Sequence, residues 1–339
     1  MLKTILSKPF AAACVLTLAC SILGSLLAGL PYLAVLGALV ISLILGICCQ
    51  IARPAVDYAK PGIALISNKF LRAGIILLGF KLNLVALAQA GVKTIALACV
   101  VVTGTIFLAY NLARRFGVDK HLAILTASGT GICGAAAVMG IASQLPTDKG
   151  NATRQAEDKV VAVAIIAILG TLFTLVDIAV GPLLGMNATQ FGVMAGGSLH
   201  EIAHAVAAGG TGGGESLDIA IITKLSRVLL LAPAAIIIGI WYRKSEGAGD
   251  DSKGKVPIPW FMVGFVAASV IGTFAPLGQE TLDALVKVSY LLLGMAMAAL
   301  GMTVNFRALL TTGRNAFAAA LITSIVLLAF TAAAALLFF

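Results

Sequence analysis

The chain has little charge and few aromatic side chains. Only 11% of its 339 residues are Asp, Glu, Lys or Arg, and 6% are Phe, Trp or Tyr. A soluble domain carries about 25% charged residues, so the composition argues against a large water-exposed surface. Apolar side chains are abundant instead, at 60% of the chain, with a mean hydropathy of +1.06. These values predict a polytopic membrane protein.

Cysteine is sparse and shows no metal-binding or disulfide pattern. The six cysteines lie mainly inside apolar runs and form no CxxC pair, which argues against a disulfide framework or a thiolate metal cluster. No cofactor is expected. The net charge of +9 does not indicate nucleic-acid binding, because the lysines and arginines are scattered at the ends of apolar runs, where membrane proteins place them.

Apolar runs of about 20 residues, rich in Leu, Ala, Ile and Gly, fit helices better than the alternating strands of a barrel. An all-α fold with about nine to eleven transmembrane helices in one transporter domain is therefore predicted. Two apolar segments, 121–145 and 188–210, are interrupted by glycine and either cross as discontinuous helices or re-enter. The other predicted spans are 9–29, 31–52, 70–88, 93–113, 160–181, 216–241, 258–275, 280–300 and 315–338.

Basic residues recur on one side of the alternating spans, which predicts a cytoplasmic N-terminus and a cytoplasmic linker at 243–257. A self-comparison adds that the pattern of residues 78–98 recurs at 300–320. An odd number of membrane segments separates the starts of the two copies, which indicates inverted repeats, about 9–145 and 188–338. Such repeats are typical of secondary transporters, whose sites lie near the midplane where helices are broken.

The first glycine-broken segment contains three glycines within six residues, each costing a continuous helix roughly 1 kcal/mol relative to alanine. A new helix starting near Cys133 or Gly134 would direct unpaired N–H groups at an anion. Close helix packing through small residues is the alternative. The candidate substrate-binding residues here are Gly129, Thr130, Gly131, Cys133 and Gly134.

The second broken segment reads Gly196-Gly197-Ser198 before His200, Glu201 and His204. Gly197 and Ser198 are predicted to bind substrate, and Ser198 to cap a new helix that carries the ionisable residues. Ionisable groups at membrane depth usually face a pathway or a partner. His200 and Glu201 are the best candidates for proton coupling, because a buried carboxylate beside an imidazole can exchange a proton near neutral pH. His204 is the weakest of the three.

Lys224 and Arg227 lie on one face of a predicted span, roughly 12 to 17 Å from its start at about 1.5 Å per residue. Cations near the middle of a bilayer need a negative partner. That partner is a carboxylate such as Glu201 or Asp218, or a transported anion to which these residues supply charge. A charge network that only holds helices together is the alternative.

The string His200-Glu201-Ile202-Ala203-His204 also spells the HExxH signature of zinc proteases. Two histidines at i and i+4 on a helix can bind one metal while the glutamate activates water. An intramembrane zinc metalloprotease is thus an alternative, with Asp218 or Asp283 as a third ligand. It is disfavoured because Lys224 and Arg227 would repel Zn²⁺ if they lay beside the histidines. No metal is expected.

Five strings in order, spread over nearly the whole chain, resemble the bacterial YeiH-like sulfate exporter family, whose name is itself a proposal. The resemblance implies an inner-membrane secondary transporter, related to the superfamily of cation/proton antiporters and anion transporters. In the family pattern glutamine suits the position of His204. The strings are LLGFKL at 77–82, GICGAAA at 131–137, EDKVVA at 157–162, AGGSLHE at 195–201 and KLSRVLLLAP at 224–233.

The sequence therefore predicts a transporter of a small anion, such as sulfate, another sulfur oxyanion or a sulfonate, that works by alternating access with protons as candidate coupling ions. It is not expected to be an enzyme. An anion channel is a further alternative. The expected partners are the small anion and the lipid bilayer, with homo-oligomerisation left open and nucleic acid excluded.

Overall fold

The computed structural model describes residues 7–30, 33, 37–82, 84–89, 91–146, 152–245, 260–275, 277–303 and 313–339. These residues form helices and turns and contain no strand. A helix satisfies its backbone hydrogen bonds internally, which an apolar environment requires. The prediction of an all-α polytopic membrane protein is confirmed. The predicted linker at 243–257 is described only as far as Ser245, and its remainder lies outside the described residues. Parts of the predicted 31–52 span and of the repeated element at 300–320 also lie outside them.

Contacts divide the chain into two compact units, one comprising residues 1–85 and 261–304 and the other residues 86–260 and 305–339. Two of the three division points, 85/86 and 304/305, fall inside the predicted copies of the repeated element at 78–98 and 300–320, and the third, 260/261, does not. The helices are α1 (Lys8–Ala28), α2 (Gly37–Cys49), α3 (Arg53–Leu65), α4 (Leu71–Leu78), α5 (Leu84–Gln89), α6 (Gly91–Arg115), α7 (Lys120–Gly131), α8 (Ala135–Ala142), α9 (Ala152–Leu183), α10 (Ala188–Ser198), α11 (Ile202–Thr211), α12 (Gly214–Leu229), α13 (Leu231–Ser245), α14 (Trp260–Phe274), α15 (Gln279–Gly301) and α16 (Gly313–Phe338).

Seven stretches of helix among the described residues are long and apolar enough to cross a membrane. They overlap seven predicted spans, although the second match is partial because the structural stretch is Ile41–Leu65 whereas the predicted span is 31–52. Residues 258–275 contain only the shorter α14. The stretches are Lys8–Ala28, Ile41–Leu65, Gly91–Arg115, Thr153–Leu183, Gly214–Ser245, Gln279–Gly301 and Gly313–Phe338.

The prediction of one continuous span at 70–88 is wrong. Helix α4 ends at Leu78, a short 3-10 turn follows, and Leu82 is extended before α5 begins. Gly79 lies at this break because the backbone of Phe265 passes so close that a Cβ on Gly79 would overlap its carbonyl oxygen. The apolar composition of the segment does not reveal this tertiary constraint.

The first unit packs α1, α2 and α15 together through small residues. Gly46 of α2 lies against the backbone of Ala298, and Gly301 lies against the backbone of Leu43. Such close approach lets helices associate without the hydrophobic driving force that water supplies. Ala13, Ala59 and Ala299 are buried in the same core. This unit is a tightly packed helical body.

The second unit contains α6 to α13 and α16. The long helix α9 and the last helix α16 pack beside two pairs of short helices, α7 with α8 and α10 with α11. Each pair is separated by three residues without helical structure. The two breaks and the residues around them form the candidate site.

Gly46→Ala and Gly104→Ala are expected to change stability in opposite directions. An alanine at 46 would overlap the Ala298 carbonyl, whereas a Cβ at Gly104 meets nothing within 4 Å. Alanine favours a helix over glycine by about 1 kcal/mol, so Gly104→Ala is expected to hold or raise the melting temperature and Gly46→Ala to lower it. Thermal unfolding in detergent measures both. Equal melting temperatures would contradict the close packing.

Candidate functional site

The first break separates α7 from α8 at Ile132, Cys133 and Gly134. Helix α7 ends at Gly131 and α8 begins at Ala135, close to the predicted start near Cys133 or Gly134. Gly134 has a φ of +72°, a backbone conformation that side chains disfavour. The side chain of Glu201 also occupies the space that a Cβ on Gly134 would need. Glycine is therefore required here for two reasons.

The second break separates α10 from α11 at Leu199, His200 and Glu201. Ser198 is the last residue of α10, and α11 begins only at Ile202, after an extended Glu201. The prediction that Ser198 starts the new helix is wrong, because its hydroxyl donates back to the Met194 carbonyl at 2.8 Å inside the preceding helix. His200 lies in the break and not on α11.

This placement removes the premise of the zinc alternative. His200 and His204 are not on one helix, so the i, i+4 geometry of the HExxH signature is not formed. Within the described part of the chain, no group of three or more His, Cys, Asp and Glu residues is arranged to hold a metal ion. Asp218 and Asp283 are not joined to the histidines in such a group.

Lys224 connects the two breaks. It lies on α12 and is fully buried. Its Nζ donates a hydrogen bond to the carbonyl oxygen of Ile132 at 3.0 Å and another to that of Leu199. Both carbonyls follow the last turn of a helix, where the helix dipole places partial negative charge. One ammonium group therefore caps the carbonyl ends of both α7 and α10.

Arg227, one turn further along α12, repeats this arrangement and is also fully buried. Its Nη2 donates to the carbonyl oxygens of Thr130 at 3.1 Å and Gly131 at 2.8 Å. Its Nη1 donates to those of Gly197 and Leu199, the latter at 3.1 Å. The planar fork of the guanidinium suits this task, since it presents several donors in fixed directions.

Lys224 and Arg227 thus make six hydrogen bonds to main-chain carbonyls of the two broken segments. Neither cation forms an ion pair with a carboxylate among the residues that the structure describes. Their hydrogen-bond partners are therefore the two helix ends, while Glu201 lies close enough to influence Lys224 electrostatically without forming an ion pair. The alternative of a charge network that holds helices together describes this geometry well.

Three of the N–H groups assigned to the anion cradle already donate hydrogen bonds to main-chain carbonyls. Those of Ile132 and Leu199 donate to Ser128 and Ala195 at 3.0 and 3.3 Å, and that of Gly134 donates to Gly129 at 3.0 Å. These hydrogen bonds close the C-terminal ends of α7 and α10. The carbonyl ends of the two helices therefore contain the predicted residues Gly129, Thr130, Gly131, Gly197 and Ser198. The N-terminal helix ends near the breaks begin at Ala135 and Ile202, and binding of an anion by the predicted residues stays a prediction.

Glu201 lies at the N-terminal end of α8. The carboxyl group is buried, and its Oε1 accepts a hydrogen bond from the N–H of Ala135 at 3.4 Å. Its Oε2 has no hydrogen-bond partner among the described residues. A carboxylate is favoured there by the positive end of the helix dipole. Glu201 of the second break thus faces the helix that starts after the first break.

The two histidines have different surroundings. Nε2 of His200 lies 3.0 Å from the hydroxyl of Ser324, which itself donates to the Ala320 carbonyl. Nε2 is therefore the donor, and Nδ1 has no partner in the described structure. His204 is fully buried against Gly170, and neither ring nitrogen has a described partner.

Asp177 is a buried carboxyl group that the sequence analysis missed. It lies on α9, fully buried, and its Oδ2 contacts the hydroxyl of Ser198. A serine has one proton, and Ser198 also contacts the Met194 carbonyl, so both contacts are hydrogen bonds only when Asp177 is protonated. The sequence does contain a signal for Asp177, because an aspartate inside a long apolar span is a functional candidate by default.

The remaining predicted residues border the same region. Cys133 is buried in the first break, within electrostatic reach of Lys224 and Arg227. The hydroxyl of Thr130 donates to the Thr126 carbonyl at 2.9 Å. The structure therefore brings the predicted residues of both broken segments together with the two cations of α12, and it adds Asp177 beside Ser198.

These features define a class of protein: a polytopic all-α membrane protein with two helix breaks joined by buried cations. The family described as Conserved hypothetical protein 698 matches residues 13–320. The chain belongs to this family of UPF0324 membrane proteins. No solved structure matches it.

Its relatives are similar along nearly their full length. The chain is 52% identical to a UPF0324 membrane protein of Lactobacillus johnsonii, over all of both chains. It is 50% identical to UPF0324 membrane protein BL1094 of Bifidobacterium longum, over 96% of this chain and 94% of that one. A Bacillus cereus relative is 45% identical, over 92% and 90%. These names specify a membrane protein and no substrate, so the sulfate-exporter resemblance stays a prediction.

Arg227→Met is expected to unfold or strongly destabilise the protein. It removes the side-chain donor from the carbonyls of Thr130, Gly131 and Gly197, while Leu199 keeps Lys224, and each buried polar group without a partner costs about 1–3 kcal/mol. Arg314→Met, at an exposed arginine of α16, is the matched control and is expected to be neutral. Folded yield and thermal unfolding in detergent measure both. A melting temperature of Arg227→Met equal to that of the control would show that these bonds do not hold the breaks.

Proposed function

We propose that the protein is a secondary transporter of a small anion in the bacterial inner membrane, with its N-terminus in the cytoplasm. Sulfate, another sulfur oxyanion or a sulfonate is the proposed substrate. The resemblance to the YeiH-like exporters, the related antiporter and anion-transporter superfamily and the repeated element at 78–98 and 300–320 support this class. Two helix breaks at membrane depth are the usual form of a transporter site.

One observation carries the proposal: a buried carboxylate, Glu201, already occupies the N-terminal end of α8. A helix N-terminus is a ready anion site, because its N–H groups and dipole both favour negative charge. Lys224 lies close enough to influence this carboxylate electrostatically. The α8 end thus has the chemistry to bind an anion, and Glu201 holds that place when the substrate is absent.

The carboxylate of Glu201 and a substrate anion then compete for the same N–H groups. Protonation of Glu201 removes its negative charge and weakens its hydrogen bond with the Ala135 N–H. The substrate anion can then bind at the N-terminal end of α8. Binding of one anion is therefore linked to uptake of one proton. The groups facing Glu201 are Lys224 of α12 and the Ala135 N–H of α8, with Cys133 in the same region and His200 adjacent in the chain.

Lys224 and Arg227 have a supporting role in this scheme. Their donors are bound to carbonyls of the two broken segments, so their charge acts on the site through space while they hold the breaks in place. A neighbouring positive charge favours an anion at the α8 end, and the effect is large where water is excluded. Transport then proceeds by alternating access to this site.

Glu201→Gln is expected to keep anion exchange and to lose its dependence on a pH gradient. Glutamine retains the shape of the side chain and carries no proton to exchange. The measurement is uptake of labelled sulfate, sulfite, thiosulfate and a sulfonate into proteoliposomes, with and without the gradient. Glu215→Gln is the matched control, because Glu215 is exposed and its Oε1 accepts a hydrogen bond from the Thr189 hydroxyl at 2.8 Å. This variant is expected to behave as wild type.

The outcomes separate the parts of the proposal. If the wild-type protein moves none of these anions, the proposed function fails. If it moves them and Glu201→Gln still follows the pH gradient as wild type does, Glu201 is not the coupling group. Flux that neither saturates nor exchanges with internal anion would indicate a channel instead.

A further inference from the structure

A cleft on the second unit lies apart from the helix breaks. One face of α6 and one face of α13 form its walls, and Ile124 of α7 also lines it. Its volume is about 410 Å³. The walls consist mainly of aliphatic and aromatic side chains, among them Val102, Phe107, Tyr110, Ile237 and Trp241.

The cleft has the length and character of a site for an acyl chain. From Val102 to Asn111 it follows α6 for roughly 13 Å at about 1.5 Å per residue, which is close to half of a hydrocarbon core about 30 Å thick. Its wall residues Phe107 and Ile237 are 73% and 65% exposed. In a membrane-spanning chain, such apolar walls open to the hydrocarbon of one leaflet.

One end of the cleft has the composition of a membrane interface. The rings of Tyr110 and Trp241 meet edge to face at 5.2 Å between centroids. Nζ of Lys120 lies over the rings of Trp241 and Tyr242, at 5.6 and 4.2 Å from their centroids. Aromatic rings and long cationic side chains gather where the headgroups begin. The other end of the cleft lies deeper in the apolar part of both helices.

Positive charge is concentrated at this interfacial end. Helix α6 ends in Arg114 and Arg115, and α13 ends in Arg243 and Lys244. Lys120 adds a fifth cation. Two described carboxylates nearby have partners of their own: Asp119 lies 3.5 Å from Arg154, a sixth cation, and Asp158 lies 2.9 Å from Nδ1 of His121. An anionic group at this end would be attracted by several charges at once.

We propose that this cleft binds an anionic phospholipid, with one acyl chain between α6 and α13 and the phosphate at the basic end defined by Arg114, Lys120 and Lys244. Basic pockets between transmembrane helices are suited to anionic headgroups. A second copy of the chain fits less well. A symmetric dimer would bring this basic end close to its own copy, where like charges repel. The proposal does not depend on the transported substrate.

The test compares two lipids with identical acyl chains, phosphatidylglycerol and phosphatidylcholine, added to delipidated full-length protein in neutral detergent. Phosphatidylglycerol is expected to raise the melting temperature by several degrees more than phosphatidylcholine does. It is also expected to remain bound to the protein in native mass spectra. Ile237→Trp fills the cleft and is expected to abolish the difference. Ile325→Trp, at a 55% exposed isoleucine of α16, is the matched control and is expected to keep it.

The charge is tested separately by Arg114→Gln combined with Lys244→Gln. This variant is expected to bind phosphatidylglycerol at least tenfold more weakly, while Lys287→Gln, at an exposed lysine of α15, leaves binding unchanged. Equal stabilisation by both lipids would overturn the proposal, as would unchanged binding in Ile237→Trp. If the lipid-free wild-type protein is a dimer and Ile237→Trp is a monomer, the cleft binds a second copy of the chain. That result would also overturn the lipid proposal.

Discussion

The second unit depends on the hydrogen bonds from Lys224 and Arg227 to the carbonyl ends of two broken helices. An interrupted helix in an apolar environment leaves carbonyl and N–H groups without partners, at a cost of several kcal/mol each. Two cations on one face of α12 satisfy carbonyls of both segments at once. The cations are in turn stabilised by the partial negative charge of those helix ends. Neither the breaks nor the buried charges would be stable alone.

This arrangement makes the two sides of each break chemically different. On the carbonyl side the protein supplies its own cations, which are fully enclosed. On the N–H side of the first break it supplies the Glu201 carboxylate, which accepts a hydrogen bond of 3.4 Å and has one oxygen without a partner among the described residues. The carbonyl side is therefore fixed by the fold, while the N–H side is the place where we propose that a soluble anion exchanges with a side chain. This asymmetry underlies the proposed coupling of an anion to a proton.

Much of the architecture followed from local chemistry in the sequence. Long apolar runs predicted most of the spans, and the glycines from 129 to 134 predicted an interruption close to where α8 begins. The sequence predicts the second interruption at Gly196 to Ser198, whereas the structure has it at residues 199–201, because Ser198 resembles a helix cap and the sequence does not reveal that α10 extends through it. The sequence pattern does not single out Asp177, because one carboxyl group does not alter the apolar pattern of a 32-residue helix.

The sequence by itself determined that the chain is an all-helical membrane protein and that its unusual residues cluster in two glycine-broken segments and one charged turn. Hydrophobicity and backbone propensity act over a few neighbouring residues, so a linear pattern suffices for both. Only the tertiary structure decided what those residues contact. Lys224 and Arg227 bind carbonyls from segments about 30 and 95 residues away, and Glu201 reaches a helix start 66 positions earlier. Such pairings depend on how helices pack, which charge and spacing along the chain do not specify.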